Sequence, residues 1–238
     1  MQKQKIEYTD GKTAFVGRLF WDDSRSGPRP GVLVFPEAFG LDDHALQRAE
    51  RLAQLGYVAL AVDPHGGGAR FDNLQAVAPA IKALYADRAE WRLRARAALD
   101  ALVARPQVDG GRLAAIGFCF GGTTCFELAR SGAPLKAIVT FHAGLLPEQA
   151  GDAGRIGARV LVCHGADDPL VKAEALEAVT AELRRDHVDW QVISYGNTGH
   201  SFTNPAADAR GMPGFAYSAQ AERRSWAAMR DLFEEAFQ

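Results

Sequence analysis

Four side chains in this sequence have the chemistry to cleave an acyl bond: the thiol of Cys119, the adjacent carboxylates of Asp167 and Asp168, and the imidazole of His200. Cys119 sits in Gly117-Phe118-Cys119-Phe120-Gly121, between an apolar run (RLAAIG) and a run of helical character (GTTCFELA). That is the G-x-nucleophile-x-G pattern of a sharp strand-to-helix turn, with cysteine where serine is usual. Glycines flank the nucleophile because a chain reversing between strand and helix leaves no room for Cβ atoms there. The helix N-terminus behind Cys119 carries partial positive charge, which favours the thiolate that attacks. An isolated cysteine is most often a small buried hydrophobe, and Cys125 and Cys163 are read that way.

The carboxylates follow an apolar run in VLVCHGADDP, and His200 follows another in WQVISYGNTGHSFTNP. An imidazole here takes the thiol proton and returns it to the leaving group, and a carboxylate fixes the imidazole's tautomer and steadies its charged form. Either aspartate could do this, and either could instead cap the helix expected near Val171. Upstream, Phe35-Pro36-Glu37-Ala38-Phe39-Gly40 ends the first core strand. An oxyanion hole draws one backbone N–H from such a loop and one from the residue after the nucleophile, which names Ala38 and Phe120. Glu37 by itself reads first as a solvent-facing or helix-dipole carboxylate before the helix at Leu41, and its place in this loop adds a site role as the alternative. His65-Gly66-Gly67-Gly68 has the composition of an oxyanion loop but follows the second core strand, so it is expected to be a flexible rim loop. The remaining histidines show no metal-ligand spacing, and no phosphate or dinucleotide fingerprint occurs, so neither metal nor cofactor is expected.

Positioning these groups requires a scaffold, and the apolar pattern supplies one. Gly31–Phe35, Tyr57–Val62, Arg112–Gly117, Lys136–Phe141, Arg159–Cys163 and Trp190–Tyr195 read as buried strands. Lys5–Tyr8 and Thr13–Trp21 read as an antiparallel edge hairpin turning at Asp10 and Gly11. Helical stripes separate the strands: Leu41, Ala45, Ala49 and Leu52; Trp91, Ala95, Ala98 and Leu102; Leu176, Val179 and Leu183; and Tyr217 to Phe233. Alternation of this kind predicts an α/β fold, a mostly parallel sheet with helices on both faces and no large lid, spanning 1–238 as one domain. The loops after the strands are the expected pocket walls.

Composition closes off other classes. At 47% hydrophobic and 24% charged, the chain is an ordinary globular one. Twenty-seven basic against 29 acidic residues leave no field to recruit nucleic acid or anionic lipid. No run approaches a membrane span, and three cysteines make no disulfide framework, so a cytoplasmic, monomeric or homodimeric protein acting on a small molecule is expected.

Nucleophile, acid and base occur in the chain order of α/β hydrolases, and the sequence resembles the dienelactone hydrolase family over almost its whole length. GFCFGG matches the family's cysteine elbow, PEAFG its glutamate loop, HGADDP its acid turn and GHSFTNP its histidine loop. The resemblance implies a Cys119, Asp168, His200 triad, with Asp168 preferred to Asp167 because it precedes Pro169. It implies hydrolysis of carboxylic esters or lactones through a thioacyl intermediate. It also implies that Glu37 holds the resting thiol and accepts its proton when substrate binds. One departure stands out. Enzymes of this family that act on dienelactone carry a basic side chain shortly after the histidine, where this chain reads Ser201-Phe202-Thr203-Asn204. Arg70, Phe39, Phe202 and Asn204 are the expected substrate contacts. The rival reading is a catalytically silent protein that keeps the fold to bind a ligand.

Overall fold

Asp10 makes the first turn of the chain. Its carboxylate accepts the amides of Lys12 at 2.8 Å and Thr13 at 2.7 Å, and Gly11 takes the left-handed conformation the reversal needs. The turn pairs β1 (Gln2–Thr9) with β2 (Ala14–Trp21) antiparallel. The computed structural model describes residues 1–238 as two units, Met1–Ile116 and Gly117–Gln238, the boundary falling inside one strand.

In the first unit the strand order is β1-β2-β4-β3-β5, with β3 at Arg29–Phe35, β4 at Val58–Ala61 and β5 at Val108–Phe118. β3 and β4 run parallel, and their apolar residues are fully buried, as expected of strands covered on both faces. Helix α1 (Asp43–Gln54) lays Ala45, Ala49 and Leu52 over β2, β3 and β4. Asp42 caps it by accepting the Ala45 amide, a contact worth about 1 kcal/mol. Helix α3 (Arg88–Val103) lays Trp91, Ala95, Ala98 and Leu102 over β1 and β3. Between them runs α2 (Leu74–Ala86), which the periodicity does not announce: only Val77 and Leu84 are buried, and Pro79 interrupts the pattern.

The second unit orders β6 (Ala137–Phe141), β7 (Arg159–Gly165) and β8 (Trp190–Tyr195) as a parallel array. Helix α4 (Phe120–Arg130) packs on β6, and α6 (Ala219–Ala236) packs on β6 and β7 through Ala221, Ser225, Met229 and Phe233. Helix α5 (Ala173–Arg185) is tied to α4 by a buried ion cluster, in which Arg130 donates to Glu182 at 2.6 and 2.9 Å and to Glu127 at 3.1 Å. Leu41 and Tyr217, expected inside helices, lie just before α1 and α6. No helix is long and apolar enough to cross a membrane.

Candidate active site

The turn at Cys119 is as tight as its glycines suggest. Cys119 is half-buried and adopts φ 53° and ψ −118°, a left-handed conformation that costs a non-glycine residue on the order of 1–3 kcal/mol. Backbone bonds hold it there: its amide donates to the Phe141 carbonyl at 3.0 Å, and its carbonyl accepts from Gly122 at 3.0 Å and Thr123 at 3.3 Å. A Cβ on Gly117 would stand 2.1 Å from the Gly121 carbonyl oxygen, and one on Gly122 would stand 2.5 Å from the Ala143 Cβ. Phe120 is the first residue of α4, so the thiol sits at that helix's positive end.

Two later loops bring the expected acid and base together. Asp168 follows β7 and is buried, whereas its neighbour Asp167 is exposed. His200 is fully buried, and its Nδ1 lies 2.7 Å from Asp168 Oδ2. A carboxylate only accepts, so Nδ1 carries a proton, and Nε2 is the ring nitrogen left to exchange one. The other aspartate oxygen, Oδ1, accepts the Leu170 amide at 2.9 Å and so orients the carboxylate. The loops are sewn backbone to backbone: His200 donates to the Gly214 carbonyl at 2.8 Å, and Asp167 donates to the Thr198 carbonyl at 2.9 Å. A Cβ on Gly199 would meet the Gly214 oxygen at 2.2 Å, and one on Gly165 the Gly199 oxygen at 2.5 Å.

Burial pulls the basicity of His200 down. The nearby charge of Cys119 and the hydrogen bond that Nδ1 donates to Asp168 outweigh it and raise the imidazole to about 10. No hydrogen bond of ordinary length closes on Nε2, and loose nucleophile–base contacts are normal before substrate arrives.

In the first unit, Glu37 and Ala38 are both buried in the loop after β3. The Ala38 carbonyl accepts His65 Nε2–H at 2.7 Å, and the Phe39 carbonyl accepts the Phe71 amide at 2.9 Å. Burial lowers the basicity of His65, which keeps the ring neutral. The glycine loop is therefore anchored, contrary to the expectation of a flexible rim. Its anchor is Asp63, whose carboxylate accepts the amides of Val16 (3.0 Å), His65 (3.1 Å), Gly66 (3.0 Å) and Gly68 (2.7 Å). An aspartate ahead of a glycine run is a turn signal that sequence reading passed over.

The expected substrate contacts divide. Arg70 is exposed and Phe39 partly so. Phe202 is fully buried, its ring packed on Tyr195 and His142, and the buried Asn204 caps the short helix Pro205–Arg210 by accepting the Ala206 amide.

Parallel strands flanked by helices, with a left-handed cysteine where a strand turns into a helix, place the molecule in the α/β-hydrolase class. The model of the dienelactone hydrolase family matches residues 15–237, and the chain belongs to that family. It is accordingly an enzyme, a hydrolase of carboxylic esters or lactones. A Yersinia pestis protein provisionally named carboxymethylenebutenolidase is 29% identical over 227 residues, covering 90% of this chain and 80% of its own. The crystal structure of a dienelactone hydrolase-like promiscuous phosphotriesterase from metagenomic libraries is 62% identical, with a TM-score of 0.98, and covers 100% of this chain and 99% of its own. An α/β hydrolase from a Medee basin deep-sea metagenome, 14% identical with a TM-score of 0.70 over 98% of each chain, shares the fold alone.

Proposed function

We propose that the chain works as one hydrolase domain that cleaves small carboxylic esters or lactones through a thioacyl intermediate on Cys119, with His200 as the proton carrier and Asp168 as its orienting acid. The observation that carries this reading is the buried 2.7 Å bond from His200 Nδ1 to Asp168, on an imidazole that also feels the charge of Cys119. The thiol proton passes to His200 Nε2, giving a thiolate beside an imidazolium, and the sulfur then attacks the carbonyl carbon. The C–O bond then breaks, and the same proton passes to the departing alkoxide. Water attacks the thioester carbon, gives a proton to His200, and the acid leaves as the C–S bond breaks and the thiol is restored. The Ala38 and Phe120 amides are proposed as the donors that meet the developing oxyanion. Glu37 is proposed to hold the resting thiol, a role supported by the family's glutamate loop and by the burial of this side chain.

Arg70 and Phe39 keep exposed surface and are proposed to contact the substrate. Phe202 instead packs the histidine loop, and Asn204 caps the short helix that follows it. Three free thiols, two of them buried, support work in a reducing cytoplasm.

Hydrolysis of short p-nitrophenyl esters and of dienelactone by wild type beside Cys119→Ala tests the reading. Activity lost in the variant supports it, and wild-type rates in a folded Cys119→Ala protein end it. A second reaction is favoured by the 62% identical phosphotriesterase: attack of the same sulfur on a phosphotriester, expelling an aryloxide. Paraoxon turnover that disappears with Cys119→Ala would support it.

A further inference from the structure

The segment Phe141–Gly144, which follows β6, touches the nucleophile's turn and the base's loop together. On the nucleophile side, the Phe141 carbonyl accepts the Cys119 amide at 3.0 Å, Ala143 fills the space against Gly122, and the Gly144 carbonyl accepts Thr123 Oγ1 at 2.6 Å. On the base side stands His142. It is fully buried, its Nε2 lies 2.8 Å from Thr203 Oγ1, and its ring meets His200 edge-on at 5.2 Å and Phe202 at 5.1 Å. Its amide donates to the Cys163 carbonyl at 2.9 Å, continuing the β6–β7 ladder by one step.

His142 also holds φ 41°, a left-handed conformation in which glycine or asparagine would be less strained. An apolar residue could fill the volume but would lose the bond to Thr203, so neither packing nor backbone preference explains a histidine here.

We infer that His142 is a positioning residue: clamped to Thr203 and braced against the Cys119 turn, it fixes where the His200 ring stands relative to the thiol. This rests on the proposed Cys119–His200 chemistry. Both partners of the proton transfer are then registered to one short strap, and a small displacement of a base from its nucleophile costs rate steeply.

The test is a double-mutant cycle on p-nitrophenyl ester turnover, with rates expressed per folded molecule from circular dichroism. His142→Phe keeps the ring and removes the hydrogen bond, and Thr203→Val removes the hydroxyl with little change in shape. Each is expected to lower kcat by about ten- to a hundredfold with KM within about twofold. The pair together is expected to cost no more than either alone, and His142→Gln should recover part of the loss. A residue that only supports folding would lower the melting temperature, leave kcat per folded molecule intact, and give additive effects.

Wild-type kcat in folded Thr203→Val, or additive losses, overturns the inference. Thr203→Val keeps the test decisive if His142→Phe does not fold. Cys119→Ala runs in parallel: if it stays active, the thiol reading itself has failed, whereas an inactive Cys119→Ala beside a fully active Thr203→Val removes the positioning role alone.

Discussion

Replacing Asp168 with asparagine changes one oxygen to nitrogen, and the surrounding bonds decide which one. Oδ1 accepts the Leu170 amide, and Oδ2 accepts His200 Nδ1–H. In the variant the remaining oxygen is wanted by the Leu170 N–H, which has no alternative form, while the imidazole can adapt by moving its proton. The amide NH2 therefore faces His200 Nδ1 and donates to it, so the ring carries its proton on Nε2 and cannot accept one from the thiol. A triad locked in the wrong tautomer loses about four orders of magnitude in kcat, close to 5.4 kcal/mol at 1.36 kcal/mol per tenfold. Had the amide turned the other way, the tautomer would survive, and only the strengthening of that bond by charge would be lost, a matter of about ten- to a hundredfold.

Asp167→Asn, at an exposed carboxylate, should leave kcat within about twofold. The assay is steady-state hydrolysis of a p-nitrophenyl ester by both variants, with circular dichroism to verify folding. A folded Asp168→Asn enzyme within a hundredfold of wild type would refute the tautomer argument, and a crippled Asp167→Asn would refute the choice of acid.

Gly117→Ala should fail to give folded protein, because its Cβ would stand 2.1 Å from a backbone oxygen that no side-chain motion can relieve; soluble, cooperatively melting protein would contradict this. Asp63→Ala strips the acceptor from four amides and should cost about 3 kcal/mol or more, read as a melting temperature lower by about 10 °C, with an unchanged melt as the contrary result. His200 is raised from 6.5 to about 10, so between those values the folded protein keeps a proton that the unfolded chain has released. Its contribution to stability is therefore complete below pH 6.5 and fades as pH climbs towards 10. Wild type should lose melting temperature over that window more steeply than His200→Gln, and parallel profiles would count against it.

Much of this was legible in the sequence because burial writes itself as periodicity. Continuous apolar runs marked β3 to β8 to within a few residues, and the paired glycines around Cys119 signalled a reversal whose steric need the structure makes explicit. α2 escaped because a helix that buries only Val77 and Leu84 around an internal proline leaves no stripe to read. The histidine loop misled differently. Phe202 and Asn204 flank His200 in sequence and looked like substrate contacts, yet the fold spends one on packing and the other on a cap. His142 and Thr203 lie 61 residues apart, and Asp63 and Val16 lie 47 apart. Partnerships at such separations depend on where strands end, and no local pattern carries them.

The most direct measurement is mass spectrometry of the enzyme quenched in acid during turnover of a p-nitrophenyl ester, followed by mapping of the acylated peptide. A thioacyl intermediate predicts one acyl group on the peptide containing Cys119, present in samples quenched during turnover and gone once the substrate is exhausted. Brisk turnover with the acyl group on another residue, or with Cys119 replaced by alanine, would show that the thiol is not the nucleophile.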